Sequence, residues 1–395
     1  MKKLLAMILA LAMVFALCAC GSSKTETASG SETLKFGLIC LHDENSTYDA
    51  NFINSANEAV ANLKAEGIDV ELVVKTGIPE GEECYEEACN MADAGCSVIL
   101  ADSFGHEDYI IKAAKEYPEV QFLHATGYQA QIVQLANFHD GFAAIYQGRY
   151  LAGVAAGLKL QEMIDNGEVA DPENVKVGYV GAYTYAEVIS GYTSWFLGVR
   201  SVVPQVTMEV TFTGSWYDET LEKEGANTLI ENGCVLISQH ADSMGAPTAC
   251  ETAGVPDVTY NVPTGEACPN TFVIYSKINW APYIEYAVKA TLNGEDIGYD
   301  YVGTFETGSV VVGEPSAVAA AGTAEKLAEV KAQLISGELH VFDCSTFTVG
   351  GETLTADDAT YGQYIKDGYF AESELASAPA FAVQIDGIEL LNQLF

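Results

Sequence analysis

Acidic and aromatic side chains recur just after the apolar runs of this sequence. Asp43 and Tyr48 follow Leu34–Cys40, and Asp102 and Phe104 follow Val98–Ala101, with Tyr128 nearby. The later half repeats the theme with Tyr183, Tyr185, Trp216, Tyr217 and Asp242, and closes it with Lys277 and Trp280. Rings of this kind stack flat ligands, a contact worth ~1–3 kcal/mol per base in nucleic-acid complexes. Carboxylates accept hydrogen bonds from ring N–H groups, amines and sugar hydroxyls. A phosphate or dicarboxylate needs Arg or several Lys, and Lys277 is the one basic residue of the set. The implied chemistry is capture of a flat, hydrogen-bonding small molecule.

Plainer roles compete for each residue. Asp102 and Asp242 suit helix N-caps as well as ligand contacts, but their placement at matching points of two halves favours the ligand. Tyr183 and Tyr185 could merely cover a sheet end, and Lys277 could pair with an exposed acid. Trp195 sits inside a helical pattern and reads as core. Catalysis finds no foothold: the chain has no Gly-x-Ser-x-Gly elbow, no His-Glu-x-x-His and no phosphate-binding glycine loop. His42, His106, His124, His139, His240 and His340 lack metal-ligand spacing, and the cysteines match no zinc motif. Asp43 and Asp102 would be the pair for acid/base work, yet nothing favours that over binding. The expectation is a binding protein, not an enzyme, with no cofactor and no metal.

These residues need a scaffold that gathers strand ends. Leu34–Cys40 reads as a strand, and Phe52, Ala56, Ala59, Val60 and Leu63 recur at helical spacing after it, with Asp49 as the expected N-cap. Further strands are expected at Val70–Val74, Val98–Ala101, Val120–Leu123 and Ile132–Ala136, with helices near Glu82–Ala94 and Glu107–Tyr117. The segment Asn137–Gly141 breaks the pattern before a small-residue helix, Gln147–Leu160. A second alternation runs from Val175–Val180 through strands near Val206–Phe212, Val235–Ser238, Val258–Tyr260 and Phe272–Tyr275. Its helices lie near Glu187–Val202, Glu219–Glu231 and Pro282–Leu292. Tyr301–Phe395 adds strand-like runs at Ser309–Val312 and His340–Phe342 and a helix around Ala324–Ile335; it completes the second half or forms a small domain of its own. Such alternation implies parallel, doubly wound sheets, whose ligands bind at strand carboxyl ends. Ala94–Ser103 resembles Asn232–Ser243, and Lys75-Thr76-Gly77 corresponds to Phe212-Thr213-Gly214. Two echoes in the same order imply two lobes of like topology.

The N-terminus directs the chain outward. Lys2-Lys3 precede an apolar stretch, Leu4–Leu17, too short for a stable span. Leu17-Cys18-Ala19-Cys20 followed by Gly21-Ser22-Ser23 resembles a bacterial lipobox, which implies cleavage before Cys20, lipidation of its thiol and a firm acyl anchor. Residues 20–33 then form a flexible tether. Cys250 and Cys268, flanking a loop-rich stretch, could pair outside the cell.

Length and charge set the outer bounds. A chain of 395 residues exceeds the span of one core, so two domains are expected. The net charge of −37 argues against nucleic acid or an anionic membrane surface as a partner.

With these features together, the chain resembles the basic membrane protein (Med/PnrA-like) family of lipoprotein substrate-binding proteins of ABC transporters. The segments that carry the resemblance are Tyr48–Phe52, Tyr150–Gly157, Phe212–Asp218 and Gln239–Ser243. It implies the type I periplasmic-binding-protein fold, an α/β architecture of two doubly wound lobes joined by crossover segments near Asn137–Gly141, Ile274–Trp280 and Thr304–Gly308. The expected division is a signal peptide (1–19), the tether (20–33), an N-terminal lobe (34–139 plus 276–304) and a C-terminal lobe (140–275 plus 305–395). The resemblance implies a purine nucleoside or nucleobase as ligand and an ABC permease as partner, on the outer face of the cell membrane. Its binding pattern falls on Asp43 as carboxylate and Phe52 as stacking ring, with Asp102, Gly214, Asp242 and Lys277 also matching. Trp216 would be the second stacking face, with Trp280 beside the last strand. Ile53 and Glu44 depart from the family pattern, which leaves nucleoside and nucleobase both open. A ligand-sensing lipoprotein and a surface enzyme acting on nucleosides or sugars are the competing classes.

Overall fold

The computed structural model describes residues 33–395. The segment expected to be a signal peptide, and Cys20 with most of the tether, lie outside the described residues. Among the described residues no helix is long and apolar enough to cross a membrane.

Two large sheets organise the chain, beside a short ribbon of β13 (Ile365–Lys366) and β14 (Tyr369–Phe370). The first takes the order β11-β5-β4-β3-β1-β2 and comprises β1 (Leu34–Ile39), β2 (Val70–Lys75), β3 (Cys96–Ala101), β4 (Gln121–Ala125), β5 (Phe138–Ala143) and β11 (Asp300–Gly303). The second runs β12-β10-β9-β8-β6-β7-β15, built from β6 (Lys176–Gly181), β7 (Thr207–Phe212), β8 (Cys234–His240), β9 (Asp257–Tyr260), β10 (Phe272–Ile278), β12 (Val310–Val312) and β15 (Ile388–Leu390). Strand for strand the two orders correspond, apart from the extra edge strand β15. The echoed segments fall on the equivalent strands β3 and β8. Gly77 and Gly214, which end the other echo, both take positive φ, 70° and 74°. All pairings in the large sheets are parallel except β10 with β12. This is the expected α/β class: two doubly wound lobes.

Helices cover the sheet faces. In the first lobe these are α1 (Thr47–Ala65), α2 (Glu82–Asp93), α3 (Glu107–Glu116), the short α4 (Ala130–Val133) and, returning later in the chain, α9 (Ala281–Asn293). The second carries α5 (Ile145–Asp165), α6 (Ala186–Val202), α7 (Glu219–Glu231), α8 (Gly245–Ala253) and α10 (Thr323–Ser336). The glycines of α5 are packing devices. A Cβ at Gly153 would lie 2.0 Å from the Trp195 carbonyl oxygen on α6, and one at Gly198 would lie 2.2 Å from that of Tyr150. Only glycine lets the two backbones approach so closely. Trp195 is fully buried there, as its helical setting implied.

The chain passes between sheets after Ala143, after Ile278 and after Gly303. The division expected at 139/140 therefore falls inside β5, and that at 275/276 inside β10.

Several local expectations need correction. Residues 132–136 are not a strand: α4 ends at Gln134, which turns the chain with φ 51°. Asn137–Gly141 is no break; residues 138–143 form the fully buried β5, with His139 bonding Gln121 and Asp140 accepting from the Ala130 N–H. The N-cap of α1 is Ser46, not Asp49. Residues 340–342 form no strand, and Cys250 and Cys268 are separate buried thiols.

Candidate functional site

The carboxyl ends of both sheets face one narrow cavity of about 20 Å³, lined by Leu41, His42, Tyr48, Asp49, Ser103, Phe104 and Thr126 from the first lobe and by Glu187, Trp216, His240 and Asp242 from the second. That volume has room for about one water molecule. The lobes touch beside it: the Thr47 N–H at the start of α1 donates to the Asp242 carbonyl at 2.7 Å.

On the first-lobe side, the loop after β1 folds back onto α1. Asp49 accepts from the His42 N–H (2.8 Å) and the Ser46 hydroxyl (2.6 Å). Burial alone would raise its carboxyl, but these bonds hold it below the usual carboxylate range, so it is an anion. Tyr48 donates to the Asp102 carbonyl at 2.8 Å and packs on Phe52 at 4.9 Å between ring centres. Phe52 in turn stacks on Trp280 at 4.4 Å.

On the second-lobe side, Trp216 meets Tyr183 edge-on at 5.1 Å and Tyr185 at 6.1 Å. Asp242 follows β8 and donates its N–H to the Trp216 carbonyl at 3.0 Å. Its carboxyl is pushed well above the usual range, foremost by burial and then by Glu222. Beneath it a polar chain runs inward. His240 bonds Glu187 at 3.4 Å and Tyr179 at 3.5 Å, and Tyr179 accepts from Arg149. Burial holds His240 below its ordinary pKa, so it is neutral despite Glu187. Arg149 is wholly buried over the Tyr260 ring and donates to the Gln239 carbonyl. The lining itself contains three carboxylates and two imidazoles and neither Lys nor Arg.

Of the residues singled out from sequence, Tyr48, Phe104, Trp216 and Asp242 line this cavity. Gly214 turns the Trp216 loop. Asp102 lies one layer behind the wall: it is fully buried, accepts from the Leu41 N–H, and has its second carboxylate oxygen unpartnered. Burial, and next Asp49, push its carboxyl well up. Four residues stand elsewhere. Phe52 and Trp280 are core, sealed from the cavity by Tyr48. Asp43 sits on an outer groove with Thr76 and Tyr217, its carboxylate turned onto Asn45. Lys277 is half-buried on β10 between the inward Ser276 and Ile278, so strand alternation aims it away, toward Glu58 on α1. Sequence reasoning gave no site role to His42, Asp49, Glu187 or His240. Position at a strand's carboxyl end could have flagged His42 and His240; nothing marked Glu187.

Among the described residues, two groups bring His, Cys, Asp or Glu donors within reach of one ion: Cys40, Asp49 and Asp102, and Glu107, His124 and Asp140. In the second, a Cβ on Gly127 would lie 2.2 Å from Asp140 Oδ1, 2.5 Å from His124 Nδ1 and 2.6 Å from Glu107 Oε1, so only glycine leaves these three groups their space. In the first, burial, and next Asp102, push the Cys40 thiol well up.

Comparison with known proteins fits this geometry. The family described as ABC transporter substrate-binding protein PnrA-like matches residues 36–343. A purine-binding protein of Brucella abortus is 30% identical over 342 residues, covering 84% of this chain and 91% of its own. A putative ABC transporter glucose-binding protein of Haloferax volcanii is 30% identical over 268 residues, covering 68% of this chain; the chain spans 64% of that relative's length. Among solved structures, an ABC solute-binding protein of Aeropyrum pernix superposes with a TM-score of 0.64 at 16% identity, over 78% of this chain and 93% of that one. One from Conexibacter woesei gives 0.61 at 21% identity, over 78% and 98%.

Proposed function

On the premise that this chain belongs to the PnrA-like family of ABC transporter substrate-binding proteins, extracytoplasmic binding proteins and not enzymes, we propose that it captures a purine nucleoside or nucleobase for import. The observation that carries the reading is the makeup of the cavity: an indole and a phenol ring beside carboxylates, without Lys or Arg. Such walls favour a flat ligand rich in N–H and O–H donors and disfavour a phosphate. The purine-binding name of the Brucella relative supports the same class.

In this reading Trp216 and Tyr48 sandwich the base. Asp49, Asp242 and Glu187 accept its hydrogen bonds, with Asp102 and Gly214 shaping the wall behind. Phe52 and Trp280 back Tyr48, and Asp43 and Lys277 stand outside the cavity. The lobes close by hinging at the three crossings, the protein is held to the membrane through lipidated Cys20, and the loaded form docks on an ABC permease.

A second reading has one specific support, the glucose-binding name of the Haloferax relative; sugars also suit an aromatic and acidic cavity. A thermal-shift screen of nucleosides, nucleobases, sugars and amino acids separates the two. Stabilisation by purines, lost in Trp216→Ala, is expected. Stabilisation by sugars alone, or unaltered binding without the indole, refutes the purine assignment.

A further inference from the structure

The family match ends at residue 343, yet the chain continues as an ordered segment with its own role in the fold. Phe347, Phe370, Phe381 and Val383 are buried in the second lobe's core. Glu372, also buried, accepts from the Ser190 hydroxyl on α6 and from the N–H groups of Ala380 and Phe381. Ser377 donates its N–H across to Asp300 of the first lobe at 2.7 Å. Residues 388–390 then extend the second sheet as β15, against β7.

The last residues reach the loops behind the cavity. The side-chain amide of Asn392 pairs with the Phe212 backbone in both directions, accepting from its N–H at 2.7 Å and donating to its carbonyl at 2.8 Å. Phe212 is the last residue of β7, four before Trp216. Leu394 accepts from the Thr184 N–H at 2.7 Å, and its own N–H donates to the Thr184 hydroxyl at 3.0 Å. Thr184 stands between Tyr183 and Tyr185, the two rings against Trp216. The Leu394 side chain also closes on Gly214: a Cβ there would lie 3.1 Å from Leu394 Cδ1. Both loops that hold the indole therefore rest on the same few tail residues.

We propose that Asn392 and Leu394 are positioning residues for ligand capture, fixing the Trp216, Tyr183 and Tyr185 wall from behind. The ligand side of this inference rests on the purine reading above; the positioning side does not. A wall held in register meets the ligand without an ordering cost, whereas a loose one loses affinity to the entropy of ordering it.

The test is the double variant Asn392→Ala/Leu394→Ala of the full chain. Asn392 is exposed and Leu394 half-buried, so the truncation leaves the core intact. Trp195 and Trp280 are buried and Trp216 is not, so acrylamide quenching of intrinsic fluorescence reports chiefly on Trp216. Without any ligand, the quenching constant is expected to rise about twofold, and to rise less in Asn392→Ala/Leu394→Met, which keeps an apolar side chain against Gly214. Adenosine affinity should fall about tenfold, equivalent to 1.4 kcal/mol, while the melting temperature changes little. Unchanged quenching overturns the positioning role whatever the affinity does, and a lower melting temperature with unchanged quenching does the same. Raised quenching in a protein whose wild type ignores adenosine upholds the positioning role and refutes the purine reading instead.

Discussion

On the first-lobe side of the cavity, Tyr48 rests on Phe52, Phe52 on Trp280, and Trp280 on the buried Phe142 of β5. The support is interior and comes from the lobe's own core. Trp216 touches the second lobe's core at its edge, and its ring partners among the described residues are Tyr183 and Tyr185. It lies on a half-buried loop, steadied by two tyrosines whose own loop is pinned by the tail. Two lobes of matching strand order have thus built equivalent walls by different means. A ring stacked on a core is coupled to folding, whereas a ring on a buttressed loop is coupled mainly to binding.

Substitutions can break this comparison. Phe52→Ala should cost about 3–5 kcal/mol of unfolding free energy, as for other buried aromatic truncations, read by urea denaturation; a small loss would mean the column is not a column. Trp216→Ala should weaken purine binding by about 1–3 kcal/mol in calorimetry and barely move the melting temperature. If the two variants changed stability alike, the contrast between the walls would vanish.

Proton linkage sharpens it further. Burial pushes Glu222 and Glu372 up to about 7 and Asp257 up to about 8 in the second lobe, against Asp140 at about 8 in the first. Each folded pKa lies above its unfolded value near ~4. Their contribution is therefore full below that unfolded value and is lost as pH rises through 7 to 8. Melting temperature should fall between pH 5 and 8, and Glu372→Gln should flatten part of that slope; an unaltered slope would remove Glu372 from the account. The smallest effect is expected for Lys277→Met: less than about 0.5 kcal/mol on stability, as for a partly exposed charge, and no change in purine affinity. A tenfold loss of affinity would return Lys277 to the site.

The doubled topology was legible in the sequence because buried parallel strands read as apolar runs, and Ala94–Ser103 and Asn232–Ser243 repeat one such unit. Strand β5 escaped because His139, Asp140 and Gly141 interrupt it; His139 meets Gln121 on β4 and Asp140 accepts from the Ala130 N–H at the start of α4, partners that only the fold brings near. Helix α8, with the sequence GAPTACETA, carries too few large apolar residues to show a period. The site was half legible. Trp216 and Asp242 follow strands directly, and their position announced them. Tyr48 and Phe52 share one face of α1, and spacing alone says that both turn inward without saying which reaches the cavity. Only the first turn does. The loop that opens the chain thus contributes His42, Tyr48 and Asp49 to the wall, and Phe52 to what lies beneath.

Strand β15 has a consequence for solubility. In the first sheet the corresponding edge strand, β2, lies open and carries Glu71 and Lys75, charges that discourage another strand from joining. In the second, β7 lies under residues 388–390, a strip of three residues with exposed Glu389 at its middle. A chain cut before Ile388 would uncover the backbone edge of β7, with Met208 and Val210 along it. It should then self-associate as concentration rises, measurable by light scattering, even though its core remained folded.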